Sequence, residues 1–322
     1  MKKVLIAIMC LASTISAYAI ADNTVEVVFN GESATVTIAE NIKSYVTQKT
    51  EGANVTLTQA ETVTATTPGE IYYVLSGSSS NGSLYLSGSY KASVTLNGLT
   101  LTNPSGPAIN IQNGKRINLR IENDTKNALT DGENGDWKGC LMCKGHIQMK
   151  GKGSLTINGK SGHGIWSNEY LEIKNCTLNV ESAAKDGINA NQYFLMESGT
   201  VTITNPAGDG IQVSLKDSVS TGSTTKHEDE DSGNFYMTDG TLTITGHGGV
   251  CIKADGTITY SGGKQVFNTS DVIENAASGI RTVQTVNSEE GAIYDLSGRQ
   301  LPKGSTPRKG IYILKDKKVI IK

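Results

Sequence analysis

Asp186 and Asp209 lie 23 residues apart, and each is followed by Gly and then Ile. If they occupy the same place in successive turns of a repeat, two carboxylates stack about 4.8 Å apart, the spacing of neighbouring strands. Like charges that close repel by roughly 1 kcal/mol in water and several times that near a protein surface, unless a cation bridges them or one is protonated. Calcium suits such a place, because it is a hard ion that takes oxygens from carboxylates, amides, carbonyls and water. Asn189, Asn191, Gln212 and Ser214 alternate outward on the segments that follow and offer further oxygens. The polar stretch from Leu215 to Asn234 leaves the Asp209 turn carrying Glu228, Asp229, Glu230 and Asp231, so it can fold back over the pair. Against this, Asp-Gly is a favoured turn dipeptide and an acidic loop is often a solvated tip. Calcium and plain turn chemistry are both open.

Other reactive residue types carry less. Trp166 stands one position after the Ile165 that matches Ile188 and Ile211, in a column with Asn110, Met142, Asn189, Gln212 and Lys253. Alternation points it outward, where an aromatic face can stack on a sugar ring beside those polar neighbours. It can instead pack beneath the loop that ends at Trp137, and both readings stand. Cys140 and Cys143 have metal or redox spacing, yet residues three apart on a strand face opposite ways, so they read as structural with Cys176 and Cys251. His146, His163, His227 and His247 are scattered, with no Ser or Cys placed as a nucleophile.

The elements that position these residues follow from an internal repeat. Leu171 to Ile188 aligns with Phe194 to Ile211 without a gap. Taking the residue that ends each block as an anchor gives Ile109, Leu141, Ile165, Ile188, Ile211 and Ile252, spaced 32, 24, 23, 23 and 41 residues apart. The longer intervals are one coil plus insertions, placed in the polar stretches Asn123 to Trp137 and Leu215 to Asn234. Three apolar pairs recur in each coil, for example Ile188 with Ala190, Phe194 with Met196, and Val201 with Ile203. A unit this short, without a helix and without a leucine-rich pattern, cannot bury its apolar residues alone and must stack. The expected fold is all-β: a right-handed parallel β-helix with about 23 residues and three strands per coil.

Composition agrees. The chain has 36 Gly and only 6 Pro, and its formal charge of −2 offers no basic field to collect nucleic acid. Lys2 and Lys3, the apolar run Val4 to Leu11 and Ala17-Tyr18-Ala19 form a signal peptide over 1–19. Met9 before Cys10 disfavours lipoprotein processing, which wants a small residue there. No other run approaches the roughly 18 apolar residues of a membrane span. The protein is expected to be secreted, extracellular or on the outer-membrane surface.

Several segments resemble a known family. These are Tyr72-Tyr73-Val74-Leu75-Ser76-Gly77, Val94-Thr95-Leu96-Asn97-Gly98, Ala128-Leu129-Thr130-Asp131-Gly132, Lys144-Gly145 through Gly153-Ser154-Leu155-Thr156-Ile157, and the paired Asp-Gly-Ile turns. They are similar to the calcium-containing parallel β-helix carbohydrate-binding domains of secreted bacterial proteins, over about Val25 to Gly263. That family resembles the pectate-type polysaccharide lyases in fold and calcium use, and is associated with cellulose-like and acidic plant glycans. The resemblance assigns calcium to Asp186, Asp209 and the acidic loop with Asp229 and Asp231, and Asn191 is added as a donor. Val250 departs from the pattern, where a further Asp is expected. Beyond a linker over 264–290, residues 291–322 carry Ile293-Tyr294-Asp295-Leu296-Ser297-Gly298-Arg299 and Lys309-Gly310-Ile311-Tyr312-Ile313, and resemble the sorting domains of type IX secretion. That resemblance implies passage through the outer membrane with the help of the type IX machinery.

The expected function is calcium-stabilised binding of a plant-type or acidic polysaccharide, without catalysis, through Trp166, Asn189, Gln212 and Lys253. Two other readings are carried. In a calcium-dependent lyase the ion would acidify the proton α to a uronate carboxylate, with Lys185, Lys216 or Lys253 as the base. In a structural or adhesive solenoid the coils would serve as a spacer.

Overall fold

The computed structural model describes residues 20–217 and 230–267, Leu301, and the short strands Ile273–Asn275, Ile280–Thr282, Ile293–Asp295, Gly310–Leu314 and Lys317–Ile321. The expected signal peptide over 1–19 and Glu228 and Asp229 of the acidic loop lie outside the described residues. The chain winds into a parallel β-solenoid of about eight turns with roughly 25 residues per turn, and no α-helix among the described residues.

Three faces run along it. The first stacks Gly82–Ser87, Ile109–Ile111, Gly139–Cys143, His163–Ser167, Ile188–Asn191, Ile211–Ser214 and Ile252–Ala254. The second stacks Ile117–Ile121, Ile147–Gly151, Leu171–Lys174, Tyr193–Met196, Asn234–Met237 and Ile258–Tyr260. The third stacks Lys126–Thr130, Ser154–Asn158, Thr177–Ser182, Thr200–Thr204, Thr241–Thr245 and Lys264–Phe267. The long strand Ala92–Thr102 joins the last two faces, pairing through Ala92 to Leu96 with one and through Thr100 to Thr102 with the other.

The register is the one read from the repeat. Ile109, Leu141, Ile165, Ile188, Ile211 and Ile252 stand directly over one another. Each is fully buried, so each contributes about 1.5–3 kcal/mol by leaving water, and only because a neighbouring coil covers it. On the second face Phe194 and Phe235 stack with ring centroids 5.1 Å apart. At the corner that follows, Gly199 takes a φ of +98°, and a Cβ there would stand 2.4 Å from the Cys176 carbonyl, so the turn admits only glycine.

The first insertion differs from expectation. Lys126–Thr130, inside the stretch assigned to a loop, is a strand of the third face, with Leu129 over Leu101 and under Ile157. The extra residues of that coil are therefore shared among its three corners. The second insertion lies where expected, between Ile211–Ser214 and Asn234–Met237. The solenoid also continues past Gly263, because Lys264–Phe267 pairs with Thr241–Thr245 and Ile273–Asn275 pairs with Ile252–Ala254. At the N-terminal end, Ser33–Ile38 and Val46–Glu51 run antiparallel to Thr24–Asn30 and Ala53–Gln59 and cover the exposed sheet edges. Ile293–Asp295, Gly310–Leu314 and Lys317–Ile321 form a separate antiparallel sheet.

Candidate functional site

The Asp-Gly-Ile turns are a side-chain ladder. Asp186 is 6% exposed, and its Oδ1 accepts the Asp209 N–H of the next coil at 2.8 Å. Asp209 Oδ1 in turn accepts the Val250 N–H at 2.9 Å. One coil earlier, His163 Nδ1 lies 3.1 Å from the Asp186 backbone nitrogen and 3.2 Å from Asp186 Oδ2. Neutral His163 accepts that amide; protonated His163 donates to the carboxylate. Burial disfavours the Asp186 anion, but His163, the Asp209 amide and Asn189 Nδ2 together outweigh it and hold the carboxyl below its ordinary value. The glycines follow from packing: a Cβ on Gly187 would stand 2.4 Å from Ile203 Cγ2 and 2.7 Å from the Gly210 carbonyl.

The residues expected to hold calcium do not converge on one point. Asp186 and Asp209 precede the first-face strands, whereas both oxygens of Asp231 accept N–H groups beyond the far end, from Lys216 and Asp217 at 2.8 Å each. The four residues of Ile188–Asn191 put roughly 13 Å between those ends. Asn191 sits at the far end, level with Ser214. Among the described residues no three His, Cys, Asp or Glu side chains gather in an arrangement able to hold a metal ion. The donor set is thus one for N–H groups, and calcium does not fit it as a ready-made cage.

The outward row of the first face exists as expected, with Tyr85, Asn110, Met142, Trp166, Asn189, Gln212 and Lys253 in register. Of the two readings of Trp166, the geometry favours packing beneath the loop that ends at Trp137 over a presented indole. It is 8% exposed, with Lys138 Nζ 4.1 Å from its ring centroid, so the residue after Trp137 covers it by a cation–π contact. The aromatic this row does present is Tyr85, 38% exposed. Asn189 and Gln212 are partly engaged along their own strands, with Asp186 Oδ2 at 3.2 Å and Ser214 Oγ at 3.1 Å.

A second surface was not anticipated. At the corner between the first and second faces, the residues just before or at the start of each second-face strand form a column: Lys91, Arg116, His146, Tyr170, Tyr193 and Asn234. His146 stacks on Tyr170 with centroids 4.1 Å apart, and Tyr170 on Tyr193 at 4.6 Å. Glu169 accepts from His146 Nδ1 at 2.8 Å and Lys216 Nζ at 2.7 Å; burial raises its carboxyl, but these two partners bring it below the usual value. Lys216, considered above as a base, is held in that ion pair. Tyr90, Lys91, Lys115, Arg116, His146 and Tyr170 line a recess of about 300 Å³. The column was legible from the repeat, but the signal is one position outside the apolar alternation that identifies the core.

The four described cysteines are buried and none is in a disulfide. Burial pushes Cys143 and Cys176 up to about 12 and Cys140 well above its ordinary value, which removes thiolate reactivity.

The family described as carbohydrate-binding domain-containing protein matches residues 59–294. A protein of that description from Acetivibrio thermocellus is 25% identical over 130 residues, covering 37% of this chain and 45% of the relative. The chain therefore matches less than half the length of that relative. A solved structure, titled as the polysaccharide lyase-like protein from C. thermocellum in a gadolinium derivative, superposes with a TM-score of 0.54 at 18% identity, covering 80% of this chain and 98% of the other. That likeness carries the fold.

Proposed function

We propose that this chain, which belongs to the carbohydrate-binding domain-containing protein family, is a secreted solenoid that binds plant-type or acidic polysaccharide along its outer surface without acting on it. Family membership over 59–294 is the observation that carries the reading. The register supports it physically, because coils about 4.8 Å apart repeat polar side chains such as Asn110, Asn189, Gln212 and Lys253 along a line, as a polymer repeats its hydroxyls. Tyr85 replaces Trp166 as the aromatic of that line.

Secretion rests on the signal-like start, and surface sorting through the type IX machinery on the sequence of 291–322. Calcium enters this reading as an ion that would have to draw the Asp186 and Asp209 oxygens away from the amides they accept. Its support is the charge of Asp186 and Asp209 on adjacent coils and the gadolinium named for the related structure, an ion that also takes oxygen ligands.

Retention on insoluble polysaccharides tests binding: loss of retention on every glycan would leave the spacer reading. Incubation with polygalacturonate and calcium tests catalysis, since a rise in ultraviolet absorbance from unsaturated products would make the chain a lyase. A melting curve that chelator leaves unchanged removes calcium.

A further inference from the structure

The corner recess is a site in its own right, apart from the first-face row. It is built on a rigid frame. The Tyr90 N–H is accepted by Gln59 Oε1 at 3.1 Å, and its carbonyl accepts Asn113 Nδ2 at 2.9 Å. Gln59 and Asn113 are 2% and 0% exposed and lie 3.3 Å apart, so two buried amides fix the backbone of the recess's aromatic wall. Burying amides to hold a surface tyrosine costs free energy, the more so because Gln59 Nε2 and Asn113 Oδ1 have no partner among the described residues. Tyr170, also in the lining, is 3% exposed with its ring between His146 and Tyr193, so it supports the recess without presenting a face to it.

Its charge is opposite to that of the whole chain. The protein carries a formal −2, but Lys91, Lys115 and Arg116 line the recess beside the carboxylate of Glu70. Glu70 is already committed: Arg116 Nη2 lies 2.8 Å from Oε2, and Ser93 Oγ donates to Oε1 at 2.7 Å. Lys91 is 3.9 Å from it. Lys115 is exposed and makes no hydrogen bond or ion pair among the described residues. Glu169, on the far side, is neutralised by Lys216. The surplus is cationic, beside the partly exposed ring of Tyr90, in a volume at the small end of ligand sites.

We infer that this recess binds one anionic sugar ring, its apolar C–H face against Tyr90 and its carboxylate or sulfate toward Lys115 and Lys91. Aromatic rings take the apolar C–H face of a sugar, and paired cations take a planar or tetrahedral anion. The inference rests on the carbohydrate reading and adds a charge-reading subsite to it, with Lys115 as the specificity determinant.

Titration calorimetry of the full chain with trigalacturonate, a sulfated galactose trisaccharide and neutral galactotriose decides it. The charged ligands are expected to bind about tenfold more tightly than the neutral one. Lys115→Glu removes that preference with an unchanged melting temperature, because its side chain has no partner to lose. Tyr90→Ala weakens all three ligands, and the same charge reversal at the exposed Lys152, Lys152→Glu, leaves the preference intact. Tighter binding of the carboxylated than the sulfated ligand, or the reverse, identifies which anion is read. Equal affinity for charged and neutral ligands, or a preference that survives Lys115→Glu, overturns the inference while polymer retention keeps the carbohydrate reading. Failure of every ligand and every polymer overturns both.

Discussion

Replacing Asp186 separates a hydrogen-bond ladder from a metal ligand. In Asp186→Ala the Asp209 N–H loses its acceptor at 2.8 Å and Asn189 Nδ2 loses its contact at 3.2 Å, in a place 6% open to solvent. A hydrogen bond to an ionised acceptor is worth about 1.5–3 kcal/mol, and a buried amide left unpaired costs a comparable amount, so the variant loses about 3 kcal/mol. Asp186→Asn keeps an oxygen for the Asp209 amide but puts an NH2 group where Oδ2 faced His163 and Asn189 Nδ2, giving up the charge and that contact at a cost of about 1–2 kcal/mol. The Asp186 carboxyl is held below its unfolded value, so its charge stabilises the fold fully above about pH 3.9, and that contribution is lost as pH falls through the lower folded value. The gap between wild type and Asp186→Asn is therefore present at pH 7 and closes in strong acid. Urea denaturation of the three proteins across that range, with and without chelator, measures it. An Ala variant no less stable than the Asn variant refutes the ladder, and equal losses that appear only when calcium is present restore the carboxylates as ligands.

Other expectations follow from packing. Gly187→Ala forces a methyl to within 2.4 Å of Ile203 Cγ2 and should cost about 1–3 kcal/mol in denaturant unfolding. Trp166→Ala should cost about 3 kcal/mol yet leave polysaccharide retention unchanged in the folded fraction; a well-folded variant that loses retention would return the indole to the binding surface. With their thiols buried and shifted upward, Cys140, Cys143 and Cys176 should resist alkylation at pH 8 until denaturant is added, as mass spectrometry of labelled protein would report.

The repeat determined the solenoid, because a 23-residue period with three inward pairs leaves stacking as the way to bury Ile165, Ile188 and Ile211. It also determined the register of every column, since in-phase anchors place their neighbours in phase. What the columns do was decided in three dimensions. Asp186 and Asp209 are adjacent in either reading, but only the fold shows their oxygens turned to the amides of the next coil. Trp166 alternates outward, yet Lys138 reaches back over it from the corner of the preceding coil, a contact no alternation encodes. The recess joins Tyr90, Lys115, His146 and Tyr170 from successive coils at a corner, where the chain leaves the strand period and side-chain direction follows the turn rather than the pattern.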